Sequence, residues 1–181
     1  MASPIHDAFN KLIEELYWTD SLEESEERLA AHLEMIDDDL REVLLSERRK
    51  FCEDPESVIR IVRLEALAED THDEDLSSLL LLQSLIDLLL LAQCTSSWSK
   101  MTPKEKAKIL APLYRAIYGL RLAGKNYPST VDKMHLKEAY HMIEIAYARA
   151  EKIGLLGEVH DKIEELSIKA LQAAEGERLD S

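Results

Sequence analysis

Two Glu-x-x-His segments are the part of this sequence whose residue types and spacing could support chemistry. They are Glu69–His72 and Glu138–His141. A separation of three residues places a carboxylate and an imidazole on the same side of a helix. Both groups are common ligands of first-row transition metals. The spacing therefore makes each segment a candidate half of a metal site.

The order of these segments resembles the ligand pattern of the ferritin-like di-iron bundles. In that family two such motifs act with one carboxylate from each of two other helices. Asp38 lies 31 residues before Glu69, and Glu105 lies 33 residues before Glu138. The resemblance implies two Fe or Mn ions as cofactors. The implied ligands are Asp38, Glu69, His72, Glu105, Glu138 and His141.

Two local features favour solvated helix surfaces over this metal site. Glu69 and His72 belong to the stretch 69–75, which is too polar to bury and predicts an exposed turn. Glu105 fits a capping box with Thr102, in which side chain and backbone of both residues exchange hydrogen bonds. In a chain with 36 acidic residues and 6 histidines, pairs at this spacing also arise by chance.

A second acidic pattern resembles the all-α nucleotide pyrophosphatases of the MazG kind, which hold Mg²⁺ between carboxylates. The residues concerned are Glu23, Glu24, Glu26, Glu27, Glu34 and Asp37. In that family the acidic motifs lie on two facing helices, whereas here all six fall on one predicted helix. A charged first helical turn, favoured by the helix dipole, explains them more simply.

The dipeptide His72-Asp73 resembles the signature of metal-dependent phosphohydrolases of the HD kind. That resemblance would require His32 and Asp132 as further ligands, and their surroundings give no support. A polar helix cap is the simpler interpretation of the dipeptide.

The charge distribution limits the kind of partner that the sequence predicts. The formal net charge is −14, and residues 1–95 carry 24 acidic and 8 basic side chains against 12 and 14 in residues 96–181. Nucleic-acid binding needs clustered Lys and Arg, so it is not expected. A basic protein partner would be attracted by the acidic half.

Few glycines and regular apolar spacing predict an all-α fold. The first glycine is Gly119, so the preceding chain has no residue that readily adopts positive φ. We predict one bundle of six or seven helices over 1–174, with acidic helices in 1–95, near-neutral helices in 102–174 and a frayed tail over 175–181. A Leu-rich helix at about 76–94 is the predicted centre, because it is apolar around most of its circumference.

Several helix boundaries follow from capping residues and prolines. Ser3 is the predicted N-cap of the first helix, and a second, heptad-like helix is predicted over about 21–51. The capping box Thr102–Glu105 begins another helix, in which Pro112 predicts a kink or a break in hydrogen bonding.

The two cysteines, Cys52 and Cys94, lack metal-binding spacing and predict reduced thiols in a cytoplasmic protein. The N-terminus lacks the basic and apolar regions of a signal peptide. Polar residues, including Asp87, interrupt the apolar stretch 76–94 and argue against a membrane span.

These observations predict a non-enzymatic interaction or adaptor protein, forming a homodimer and binding a protein partner, with no cofactor. The alternative is a metal-dependent enzyme, either of the di-metal kind or the Mg²⁺-dependent kind described above.

Overall fold

The computed structural model describes residues 4–180, and in that part of the chain the regular elements are α-helices and short 3-10 helices. The predicted all-α class is confirmed. The α-helices are α1 (Pro4–Tyr17), α2 (Leu22–Met35), α3 (Asp38–Glu53), α4 (Glu56–Asp70), α5 (Glu74–Leu90), α6 (Pro103–Gly124), α7 (Lys133–Lys152) and α8 (Leu155–Asp180). The predicted cap Ser3 lies outside the described residues.

The helix predicted over 21–51 is two helices, which explains why the count exceeds the six or seven expected. The sequence allowed either Asp20 or Ser21 as the cap of this helix; Ser21 caps α2, because its hydroxyl accepts a hydrogen bond from a backbone N–H at 3.1 Å. The helix ends at Met35, and the next two residues have extended backbone. Asp37 then caps α3 by accepting a hydrogen bond from the N–H of Leu40 at 2.7 Å. The apolar spacing continues through this break, so periodicity alone did not reveal it.

The chain folds into two compact units. The first contains the described residues up to Ile36 and Met101–Arg149, and the second contains Asp37–Lys100 and the described residues from Ala150 onward. The first unit is therefore built from α1, α2, α6 and most of α7. The second is built from α3, α4, α5 and α8, together with the 3-10 helices Leu91–Cys94 and Trp98–Lys100.

In the first unit, α6 packs against α1 and α2. The predicted capping box is present, since the Glu105 N–H donates to Thr102 Oγ1 at 3.1 Å and the Thr102 N–H donates to Glu105 Oε1 at 3.0 Å. The helix continues through Pro112 to Gly124, so Pro112 does not end it. Side chains from α1, α2, α6 and α7 form the core; they include Ile13, Leu16, Leu29, Leu113, Ala139 and Ile143.

In the second unit, α4 and α5 pack together, and α8 contacts α4 and the 3-10 helix Leu91–Cys94. The buried apolar residues include Ile61, Leu82, Ile86, Leu89, Val159 and Leu166. The Leu-rich α5 buries one side, while Leu81 on another side is 42% exposed.

A polar joint, residues 95–101, is held to α8 by one carboxylate. Glu158 accepts hydrogen bonds from Ser96 Oγ at 2.9 Å and from the Ser97 N–H at 3.2 Å. These bonds favour the ionised form and lower the pKa of Glu158.

Helix α8 follows a turn at Gly154, which has a φ of +79°. The helix continues through residues 175–180, although the sequence predicts a frayed tail there.

Cys52 and Cys94 form a disulfide, which corrects the prediction of reduced thiols. Their Cα atoms lie 5.4 Å apart, and the bond joins the last turn of α3 to the 3-10 helix Leu91–Cys94. The two residues are 42 positions apart in sequence. Their approach depends on how α3 packs on that 3-10 helix, and linear spacing does not encode it.

We expect the double substitution Cys52→Ser/Cys94→Ser to lower the free energy of unfolding by about 4 kcal/mol, because the unfolded chain is released from a closed loop of this length. Urea denaturation followed by circular dichroism measures the difference. A thiol reductant should lower the stability of the native chain to the same value and leave the double variant unchanged. A difference below about 1 kcal/mol would contradict this expectation.

Tyr114 of α6 packs edge-to-face on Phe9 of α1, with ring centroids 5.1 Å apart. Burial raises the pKa of Tyr114 to about 12 from an ordinary value of 10.0. Between these two values the unfolded chain loses the proton first, so stability should fall as pH rises from 10 towards about 12.

We expect Tyr114→Phe to remove that fall in stability. The measurement is the thermal midpoint of both proteins as a function of pH, with tyrosinate absorbance recorded in parallel. Equal pH dependence of the two proteins above pH 10 would show that Tyr114 titrates normally.

Candidate interaction surfaces

Three of the residues predicted as metal ligands lie in the second unit, and all three are exposed. Asp38 begins α3, Glu69 lies near the end of α4 and His72 lies in the turn that follows α4. Asp73 beside His72 caps α5, since its Oδ1 accepts hydrogen bonds from the N–H groups of Asp75 at 2.9 Å and of the next residue at 3.1 Å. The three predicted ligands of this unit therefore lie at or next to helix ends that are exposed to solvent.

The other three predicted ligands lie in the first unit. Glu105 is exposed and is bonded within its capping box, and His141 is exposed on α7. Glu138 points towards Arg115, with the nearest nitrogen–oxygen distance at 3.6 Å. Within residues 4–180, no group of three or more His, Cys, Asp or Glu side chains is placed to hold a metal ion.

The acidic residues of α2 line a groove beside the first turns of α6. The groove has a volume of about 500 Å³. Its wall on α2 is Glu23, Glu26, Glu27, Ala30, Ala31 and Glu34, and its wall on α6 is Lys104 and Lys108. Carboxylates therefore face ammonium groups across this groove, whereas the pyrophosphatase pattern requires carboxylates on both sides.

Two of the acidic residues in that region have cationic partners. Glu26 pairs with Arg149 of α7, which also donates to the Lys108 carbonyl at 2.9 Å. Glu24 pairs with Arg28 one turn along α2 at 2.8 Å. The Arg149 contacts tie α2, α6 and α7 together at one end of the first unit.

A buried arginine at the centre of the first unit was not singled out from the sequence. Arg115 is 8% exposed, and its Nη1 donates to Thr19 Oγ1 and Ser25 Oγ, both at 2.9 Å. Ser25 Oγ in turn donates to the Leu16 carbonyl at 2.8 Å. Arg115 Nε has no hydrogen-bond partner in the described part of the chain. A single cation inside the apolar run of residues 109–120 was the available signal.

Aromatic side chains lie beside this network. The Tyr17 hydroxyl and His135 Nδ1 are 2.5 Å apart, and the exposed Trp18 packs edge-to-face on Tyr17 with centroids 4.9 Å apart. Burial raises the pKa of Tyr17, and the charge of Glu138 raises it further, while the Arg115 charge lowers it. Tyr17 therefore stays neutral and links α1 to α7 through a hydrogen bond.

A buried carboxylate of α5 forms an ion pair with an arginine of α4. Asp87 is 5% exposed and accepts two hydrogen bonds from Arg60 of α4, from Nε and Nη2, each at 2.8 Å. Gln83 Nε2 donates to the same carboxylate at 2.9 Å. This bidentate pair supplies the partner that a buried charge requires.

The stretch Glu74–Cys94 is long and apolar enough, by length and composition alone, to cross a membrane. About 44% of its most apolar window is buried inside the structure. Core helices of soluble proteins pass the same test, so this feature gives weak support to a membrane span.

The second unit leaves many apolar side chains in solvent. Their exposed fractions range from 39% to 66%. The residues are Val43, Leu44, Val62, Leu67, Leu81, Ile153, Ile168 and Leu171. Each of α3, α4, α5 and α8 contributes at least one of them, and none of the 16 residues of α3 is buried.

Comparison with known proteins identified no relative. No protein-family model, no curated protein and no solved structure matches this chain. Its function is therefore inferred from its own residues.

We expect Arg115→Met to lower the free energy of unfolding by about 3 kcal/mol, because it removes two buried charge-assisted hydrogen bonds while preserving most of the side-chain volume. Urea denaturation measures the effect. Glu138→Gln is the matched comparison, since its half-exposed carboxylate should contribute less than about 1 kcal/mol. Equal losses for both variants would show that the ion pair, and not the hydroxyl contacts, stabilises this site.

Proposed function

We propose that this chain is a non-enzymatic interaction or adaptor protein that self-associates. The observation that supports this is the set of partly exposed apolar side chains on the second unit. Burying a Val, Leu or Ile side chain fully contributes roughly 1.5–3 kcal/mol. Side chains that are about half exposed therefore leave a substantial gain to be made by association.

The distribution of these side chains supports association by the second unit in particular. Val62 and Leu67 on α4 are 58% and 54% exposed, and Leu171 on α8 is 66% exposed. Isolated surface leucines are ordinary, but here every helix of one unit carries such a residue. A second copy of the chain would cover the same surface on both partners.

The charge of the chain supports a basic protein as the further partner. Carboxylates of α2 line one wall of the groove in the first unit, and the formal net charge is −14. Long-range attraction would favour encounter with a cationic segment, and the same charge disfavours nucleic acid. Salt should therefore weaken binding to such a partner.

The cellular location stays a prediction. The sequence predicts a cytoplasmic protein, whereas the disulfide Cys52–Cys94 favours an oxidising compartment, because cytosolic thiols are kept reduced in most organisms. The absence of a membrane span also stays a prediction.

The competing hypothesis is a metal-dependent enzyme that uses Fe, Mn or Mg²⁺. Metal analysis of the purified protein distinguishes the two hypotheses. About two Fe or Mn ions per chain, lost on substitution of His141 by Ala, would favour the di-metal alternative. Stabilisation by Mg²⁺ together with a nucleotide would favour a hydrolase.

We expect the native chain to sediment as a dimer at concentrations on the order of 10 µM. The variant Val43→Ser/Val62→Ser/Leu171→Ser should dissociate, because it removes exposed apolar area from three helices of the second unit. Sedimentation velocity over a concentration series provides the measurement.

The matched control is Met35→Ser/Met134→Ser, which changes side chains of the first unit that are 83% and 74% exposed. This control should remain dimeric. A native chain that stays monomeric at high concentration would contradict self-association, and dissociation of the control alone would place the contact on the first unit.

A further inference from the structure

Helix α3 is attached to the second unit at one end. Cys52 in its last turn is bonded to Cys94, and the Phe51 carbonyl accepts a hydrogen bond from Ser57 Oγ at 3.1 Å. The described contacts of α3 are mainly with the 3-10 helix Leu91–Cys94. Towards its start, Val43 and Leu44 are 42% and 39% exposed. These two side chains lie about 100° apart around the helix, and each leaves part of its apolar area in solvent.

Both halves of α3 carry charges of both signs, with a net charge of −2 over residues 38–45 (three acids, one base) and +1 over residues 46–53 (two acids, three bases). Asp38 and Asp39 lie in the first turn, and Lys50 lies in the last turn next to Arg49. The helix dipole favours this distribution, since carboxylates are stabilised at the N-terminus and cations at the C-terminus. Lys50 also contacts Glu47 at 3.4 Å, but both side chains are largely exposed.

Opposite charges and an apolar residue share one stripe of α3. At 100° per residue, Asp39, Val43, Ser46 and Lys50 fall within a sector of about 60°. Asp39 and Lys50 are separated by 11 residues, or about 16 Å along the helix axis. The stripe thus begins with a carboxylate, carries Val43 near its middle and reaches an ammonium group at Lys50, one turn before the carboxylate of Glu53.

The stripe is complementary in charge to a second copy of itself that runs in the opposite direction. In a parallel pair of α3 helices, Asp39 would lie beside Asp39 and Lys50 beside Lys50, which is unfavourable. In an antiparallel pair, each carboxylate lies beside an ammonium group of the other copy, and the two Val43 side chains lie between the charge pairs. A two-fold axis generates both charge pairs from one contact.

We propose that α3 is the self-association surface of this protein, and that two copies pack α3 against α3 in antiparallel orientation. Asp39 of each copy pairs with Lys50 of the partner subunit, and the two Val43 side chains fill the centre. This inference rests on the proposed self-association and adds the surface, the orientation and the charge pairs that select it.

A charge-reversal experiment tests the pairing. Asp39→Lys makes both ends of the stripe basic, and Lys50→Asp makes both ends acidic. Each variant alone should dimerise about tenfold more weakly than the native chain, because two attractive pairs become repulsive. An equimolar mixture of the two variants should form a heterodimer with affinity close to that of the native homodimer. Sedimentation velocity with one variant fluorescently labelled measures both effects.

The control variants are Glu65→Lys on α4 and Lys169→Asp on α8, which make the same charge changes at other exposed positions of the second unit. Both should dimerise like the native chain. Circular dichroism of all four variants verifies that helix content is unchanged.

The outcomes separate this inference from the proposed function. A monomeric native chain would overturn both. A native dimer with normal association of Asp39→Lys and Lys50→Asp would overturn the α3 pairing and leave self-association standing. If both variants dimerise more weakly and their equimolar mixture does not regain the native affinity, the antiparallel arrangement is overturned. In that case another surface of the partner lies opposite α3. Equal weakening by the control variants would assign the effect to net charge.

Discussion

A helix buries only those sides that neighbouring elements cover, and in the second unit the neighbours are too few. Leu82, Ile86 and Leu89 of α5 are buried, yet Leu81 of the same helix is 42% exposed. The same shortage affects α3, in which no residue is buried. Because apolar area in water has a free-energy cost that association removes, this shortage supports the proposed role in binding.

Two buried charged side chains constrain how neighbouring helices align with each other. Arg115 in the first unit bonds to hydroxyl groups of Thr19 and Ser25, and Asp87 in the second unit accepts a bidentate contact from Arg60. In each case a buried charged side chain has a hydrogen-bond partner on a different element. Sliding one helix along the other would leave a buried charge without a partner, so these contacts constrain the helix register.

Several acidic residues have structural roles in the folded chain. Asp37 and Asp73 cap helices, Glu105 completes a capping box and Glu158 holds the polar joint before α6. Carboxylates are favoured at helix N-termini, and a chain with this many helices has many such positions. Their abundance therefore gives little support to catalysis, whereas the uncovered apolar sides support binding.

The sequence by itself determined the all-α class and local helix signals such as the Thr102–Glu105 capping box. Those features depend on interactions within about four residues, which the sequence displays directly. Only the tertiary structure showed that the helix breaks before Asp37, because the apolar spacing of the sequence continues across the break. It alone brought Cys52 to Cys94 and gave Arg115 its partners, Thr19 in the turn between α1 and α2 and Ser25 of α2. These contacts join residues 42 to 96 positions apart, and their formation depends on which helix sides meet during packing.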